Sequence, residues 1–187
     1  STPSRVLLGR PLSSAATHAT GRTAALSFAA LNVKSCYSFL DSLLTIPALV
    51  EVAAARGCPA VAITDPNLHA AVPFYQAAKA AGLHPVIGAE LTVSGKRLNA
   101  YVENAQGYRN LCRLLSLRGG ARITGEERQD HSAGLLFIDA AAGAFPEIRY
   151  ESPGDRIRYD IVQSIRTLTL LRERHPEKRR GDFHFPD

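Results

Sequence analysis

The stretch "LNVKSCYSFLDS" (31–42) sets an amide, Asn32, two residues before an ammonium, Lys34, with a carboxylate, Asp41, seven residues further on. A second stretch, "AITDPNLHAAVPFYQAAKAAGLHPVIGAEL" (62–91), adds Asp65, Pro66, His69 and Glu90, and a third, "EIRYESPGD" (147–155), opens with Glu147 and Arg149. Carboxylates and imidazoles are the side chains that hold divalent metals, whereas a protonated lysine has no lone pair to offer. Asp41 and Glu90 are among the carboxylates that could face a metal, although loop carboxylates also cap helices and solvate turns. Asp65 reads as a residue that ties a turn or caps the next helix. His69, His84 and His131 are isolated in sequence, which fits surface or packed histidines. Cys36 has no evident base beside it and reads as a packed thiol.

These residues need elements to position them. Short apolar strands alternate with amphipathic helices from Leu26 onward, which predicts α/β architecture with mainly parallel strands. "LSFAALNV", "PAVAITD", "HPVIGAELTV", "RLNAYVEN" and "AGLLFID" are the strands. "TIPALVEVAAARG" is a helix with Thr45 as N-cap, Pro47 in its first turn and Gly57 as stop. "HAAVPFYQAAKAAG" is a second, ending at Gly82. In "AQGYRNLCRLLSL", Tyr108, Leu111, Cys112 and Leu115 mark one helical face. "LRGGARITGEERQD" reads as an exposed loop or a short helix near its end, and "SPGDRIRYDIVQSIRTLTLLRERH" as a long helix with Ile157, Ile161, Ile165 and Leu168 on one side. Residues 1–26, rich in Ser, Thr, Ala, Gly and Pro, read as a flexible leader, 27–175 as the domain, and 176–187 as a polar tail ending outside the core.

The 187 residues suffice for one ordinary domain, burying roughly 70% of the surface its unfolded chain exposes. A net charge of +5 leans toward an anionic partner. Arg109, Arg113, Arg118, Arg122 and Lys178-Arg179-Arg180 are the residues that would track DNA phosphates, but no aromatic stacking platform accompanies them. Three cysteines, odd in number and widely spaced, match neither a disulfide framework nor a zinc motif, which predicts free thiols in a reducing cytoplasm. No run reaches the ~20 apolar residues of a membrane span, so the expectation is a soluble chain without membrane partners. The Ser-Thr-Pro start, without Met, reads as a trimmed chain or as a domain cut from something longer.

Taken in order, the segments 31–116 and "RYESPGDRIRYDIVQSIRT" (149–167) resemble the PHP (polymerase and histidinol phosphatase) domain at the N-terminus of bacterial DNA polymerase III alpha subunits, nearest to the error-prone branch. The resemblance implies a distorted barrel of seven β/α units whose strand ends supply His, Asp and Glu to about three metal ions that support phosphoester hydrolysis. It also implies departures. The family's His-x-His falls on Asn32-Val33-Lys34, its "TDHGN" on Thr64–Asn67 with Pro66 in place of a histidine, and its Asp-x-His on Glu147-Ile148-Arg149. Asp41 and Glu90 survive. The step from "GLLFID" to "EIRYESPGD" is too short for the family's middle, which predicts an incomplete or open barrel.

The expectation is thus a degenerate, non-catalytic PHP domain of a polymerase III alpha-type protein, with no cofactor. It would stabilise the polymerase body or dock replication or repair proteins. Lys34 would supply, near Asp41 and Glu90, the positive charge once given by metal. The rival expectation is a reduced phosphoesterase or exonuclease holding Zn or Mn through Asp41, Glu90 and His69. A third is a small protein that binds an anion through Lys34.

Overall fold

The structure is a computed structural model describing residues 28–117, 122–141, 143 and 145–186. The expected leader, residues 1–26, and Arg118 of the basic set lie outside the described residues. Along the chain the elements are β1 (Asn32–Val33), α1 (Ile46–Ala55), β2 (Ala60–Ile63), α2 (Ala71–Ala80), β3 (His84–Val93), β4 (Lys96–Val102), α3 (Ala105–Ser116), α4 (Gly125–Asp130), β5 (Leu135–Asp139), β6 (Glu147–Ile148) and α5 (Arg156–Thr167).

Local chemistry explains the helix ends. Thr45 Oγ1 accepts from the Ala48 amide and Pro47 occupies the first turn of α1, while Gly57 turns away at φ +66°. At α4 the capping box is complete, Thr124 and Glu127 each accepting the other's backbone N–H.

Four strands form one sheet in the order β2-β3-β4-β5, and β1 pairs with β6 in a second. The sheets are mixed rather than mainly parallel: β1–β6 and β2–β3 run parallel, whereas β3–β4 and β4–β5 are antiparallel. The cause is the Ser94-Gly95 turn. Both residues take positive φ, 48° and 81°, the geometry of a two-residue hairpin, so β4 must return alongside β3. Among the described residues no closed barrel forms.

The core has two parts. One gathers Val33, Leu49, Val61, Phe74, Ile148 and Phe185 between α1, α2 and the parallel strands. The other joins Leu91, Ala100, Leu111, Leu114 and Ile123 beneath α3. Phe185, fully buried and edge-on to Phe28, corrects the expectation that the C-terminal tail ends outside the core.

Two helix faces also differ from the expected ones. In α3, Gly107, Asn110, Leu111 and Leu114 face inward, and Tyr108 is exposed. The close approach of Gly107 to the Gly134 backbone, where a Cβ would collide, rotates the helix. In α5, Tyr159 and Gln163 are buried, and the stripe Ile157, Ile161, Ile165 and Leu168 faces solvent, with Leu168 93% exposed. The helix also stops early, Leu168 taking φ 53°. Beyond it, the buried Lys178 ammonium donates to the Leu170 and Leu171 carbonyls at 2.9 Å, holding that segment in a turn.

Candidate functional site

β1 and β6 lie side by side with Asn32 opposite Glu147 and Val33 opposite Ile148. The two sequence fragments singled out for their chemistry, 115 positions apart, thereby become neighbours. The loop after β1 is drawn onto them by Ser42, whose hydroxyl reaches the Lys34 and Arg149 carbonyls at 2.6 and 2.7 Å, and the Leu43 amide donates to Arg149 O. This places Asp41 beside Arg149. The β3–β4 hairpin brings Glu90 and Arg97 onto the same face, since Glu90 is opposite Asn99 and Arg97 opposite Thr92.

What results is a continuous set of ion pairs. Lys34 Nζ, at a residue 2% exposed, lies 3.0 Å from Glu90 Oε2 and donates to the Thr64 carbonyl. Arg97 grips Glu90 with two hydrogen bonds, 2.9 and 2.6 Å, and reaches Glu147 Oε1 at 2.9 Å. Arg149, fully buried, donates to Glu147 Oε1 at 2.6 Å and to the Asp41 carbonyl, and its Nη1 lies 2.6 Å from Asp41 Oδ2. Arg179 Nε stands 3.2 Å and Arg166 Nη1 3.9 Å from Asp41 Oδ1.

Burial would raise the carboxyl of Glu90, but the Arg97 hydrogen bonds and the Lys34 and Arg97 charges hold it at about 2. Glu147 is held below the usual range in the same way, against burial, by Arg149 and Arg97. For Lys34 burial dominates over its attraction to Glu90, and its pKa is lowered.

Asn32 takes no part in the charge pairing. Its Oδ1 accepts from Asn99 Nδ2 at 3.0 Å and from the Thr64 hydroxyl at 3.3 Å. The expectation that Lys34 serves both carboxylates holds for Glu90; Asp41 is matched by Arg149 instead. Asp65 is structural as expected, through the turn and not a helix cap: it accepts from the Ser35 amide and hydroxyl and from the Ser38 hydroxyl. Pro66 and His69 are exposed and line a cavity of about 320 Å³ with Cys112, Leu115 and Ser116. Cys36 is exposed rather than packed, and burial followed by the Asp65 charge pushes its thiol up, away from nucleophile character. Of the expected DNA-tracking basic run, Lys178 is buried on carbonyls, Arg179 reaches Asp41 and Arg180 donates to the Glu173 carbonyl, so it forms no free cationic ridge.

Arg97, Tyr159 and Arg166, and Arg179 in this role, join the site without having been singled out for it by the residue pattern. For Arg97 a signal existed. A two-residue Ser94-Gly95 turn dictates which residues share a face of the hairpin, and Arg97 then follows Glu90. For the other three, no local pattern reveals a fold-back over more than 100 residues.

Could these residues hold the metals that the resemblance implies? The positions of Asn32, Lys34, Pro66 and Arg149 offer no anionic or imidazole ligand. The carboxylates of Asp41, Glu90 and Glu147 are each engaged by cations. Among the described residues no group of three or more His, Cys, Asp or Glu could hold a metal ion. The donor set does not fit a multi-metal centre.

Comparison with known proteins bears on this arrangement. The family model described as PHP domain matches residues 30–166. The DNA polymerase III subunit alpha of Pseudomonas fluorescens is 38% identical over 130 residues, covering 62% of this chain and 11% of that protein. The error-prone DNA polymerase of Symbiobacterium thermophilum is 42% identical over 93 residues, covering 49% of this chain and 9% of that protein. The chain thus spans about a tenth of the length of these curated relatives. Among solved structures, an amidohydrolase from Chromobacterium violaceum superposes with a TM-score of 0.41 at 26% identity, covering 49% of this chain and 34% of that one. No helix among the described residues is long and apolar enough to cross a membrane.

Proposed function

The chain belongs to the PHP domain family, and from that premise we propose that it is a non-catalytic PHP domain of a DNA polymerase III alpha-type protein, a structural or partner-docking module in DNA replication or repair. The observation that carries this reading is the exchange of ligands for cations. Where the family's metals would neutralise converging carboxylates, Lys34, Arg97 and Arg149 do so here. Fixed guanidinium and ammonium groups hold the loops together without generating a hydroxide, which is the step a metal supplies in phosphoester hydrolysis. In this reading the remnant positions Asn32, Lys34, Asp41, Pro66, Glu90, Glu147 and Arg149 mark where the ancestral site stood, and the two open sheets are a reduced barrel.

A module of this kind needs a face to bury against its partner. The stripe Ile157, Ile161 and Ile165 of α5, with Leu168 just past its end, supports that role, being apolar and exposed. The partner of the reading is the polymerase body or another replication or repair protein.

The test is elemental analysis of the purified protein for zinc, manganese and iron beside a phosphodiesterase assay with added Mn²⁺ and Zn²⁺. Substoichiometric metal and no turnover are expected. Stoichiometric metal with turnover that Asp41→Ala or Glu90→Ala abolishes would overturn the reading in favour of a reduced phosphoesterase.

A further inference from the structure

The ion-pair set is unbalanced. Lys34, Arg97, Arg149, Arg166 and Arg179 converge on three carboxylates, Asp41, Glu90 and Glu147. Positive charge is in excess, and the excess is at one end. Glu90 is fully served by Lys34 and Arg97, whereas Arg149, Arg166 and Arg179 crowd around Asp41, with Arg179 also reaching toward Glu147 at 3.9 Å.

Hydrogen bonding points to the same end. Among the described residues, the buried side-chain polar atoms without a hydrogen-bond partner are Asn99 Oδ1, Arg149 Nε, Tyr159 Oη, Arg166 Nε and Arg179 Nε. Three of these can only donate and the phenol can donate as well. Arg179 Nε is near Asp41 Oδ1 but not aligned to donate to it. Tyr159 is 1% exposed, its ring tilted against Tyr150 and edge-on to Phe183, and its hydroxyl feels the charges of Arg149, Asp41, Arg179 and Glu147. Four buried donors without acceptors, around an excess of cations, are costly as they stand, because each forfeits its hydration without return.

Two of these residues, Arg166 and Arg179, border an opening at the surface. A cavity of about 300 Å³ is lined by Arg166, Pro176, Glu177 and Arg179. Glu177 is the acidic residue of that lining, and its backbone carbonyl accepts from Arg166.

We infer that this end of the cluster is an oxyanion site, taking a phosphate group between Arg166, Arg179 and the Tyr159 hydroxyl with Arg149 behind them. A phosphate supplies what the site lacks: negative charge and several acceptor oxygens arranged for guanidinium forks. Neither a metal nor the ancestral ligands are needed, and the site lies on residues outside the remnant positions except Arg149.

The experiment is thermal unfolding in EDTA-treated buffer with inorganic phosphate titrated against chloride at matched ionic strength. A saturable rise of about 4 °C at ten times Kd is expected. Arg179→Gln should abolish it, and Arg158→Gln, at a guanidinium paired with Asp155 outside the cluster, should leave it intact. Should Arg179→Gln fail to fold, Tyr159→Phe retains the ring packing and is expected to weaken phosphate binding several-fold, read by ³¹P line broadening. An equal response to chloride, or an undiminished one in Arg179→Gln or Tyr159→Phe, would overturn the inference while leaving the metal-free reading intact. A phosphate response that appears only with added Mn²⁺ would overturn both.

Discussion

Lys34 Nζ sits 3.0 Å from Glu90 Oε2 at a position almost closed to water, and the same ammonium donates to the Thr64 carbonyl at the end of the neighbouring strand. Much of the Coulomb attraction in a buried ion pair only offsets the hydration both charges lost, so its net worth is small. Removing one member is another matter, because the other is then left buried and unmatched.

Lys34→Met should therefore destabilise the domain by about 3 kcal/mol, at the low end of the range for broken buried pairs since Glu90 keeps Arg97. Adding Glu90→Gln should cost less in that background than in the natural sequence, because the carboxylate has already lost its ammonium partner. Urea unfolding of the two single variants and the double variant checks both statements; purely additive losses would contradict the pairing.

Acid should weaken the fold in a defined window. The Glu90 carboxyl is held at about 2 in the folded chain against 4.5 for the free group, so the unfolded state binds the proton first as pH falls. Stability from this group is fully present above 4.5 and is lost progressively down to about 2, on the order of 3 kcal/mol in total. Glu147, also depressed, adds in the same direction. Unfolding free energy measured across this range should fall steeply in the natural sequence and less steeply in Glu90→Gln.

The two faces of α5 should respond oppositely to substitution. Ile161→Lys, on the exposed stripe, should change stability by no more than about 0.5 kcal/mol, whereas Tyr159→Ala, on the buried face, should cost about 3 kcal/mol or more. A large loss at Ile161 in the isolated domain would place that stripe in the core after all.

Phe185→Ala tests the C-terminal segment. The ring is fully buried, packs edge-on to Phe28, and its amide donates to the Tyr150 carbonyl. A loss of about 3 kcal/mol in thermal or urea unfolding is expected, far more than an untethered tail residue could give.

Much of this was legible in the residue pattern, for reasons that are local. Thr45, Pro47 and Gly57 bound α1 because caps and stops act within a turn or two of themselves, and the approximate places of β2, β3 and β4 followed from short apolar runs. Apolar alternation does not carry strand direction; the Ser94-Gly95 turn does, by returning β4 antiparallel to β3. For α5, periodicity says which residues share a side and not which side packs; Tyr159 and Gln163 win the interior by meeting Tyr150, Phe183 and the Leu40 carbonyl. Asn32, Lys34, Asp41, Glu90, Glu147 and Arg149 do converge on one region of the fold. Arg166 and Arg179 join them only through a chain reversal that no window of sequence contains.

The insertion of Phe185 into a core that begins at Ala30 also sets an order of events during synthesis. A ribosome releases the chain from the first strand onward, at about 5–20 residues per second. β1 leaves it more than 100 residues before its partner β6 exists, and the last aromatic plug of that core arrives later still. For those seconds α1, α2 and the parallel pair β2–β3 must wait with part of their apolar surface uncovered, and their final closure is a long-range event of the slow kind. Any burden this domain places on chaperones falls in that interval, and its length is written into the distance between Asn32 and Glu147.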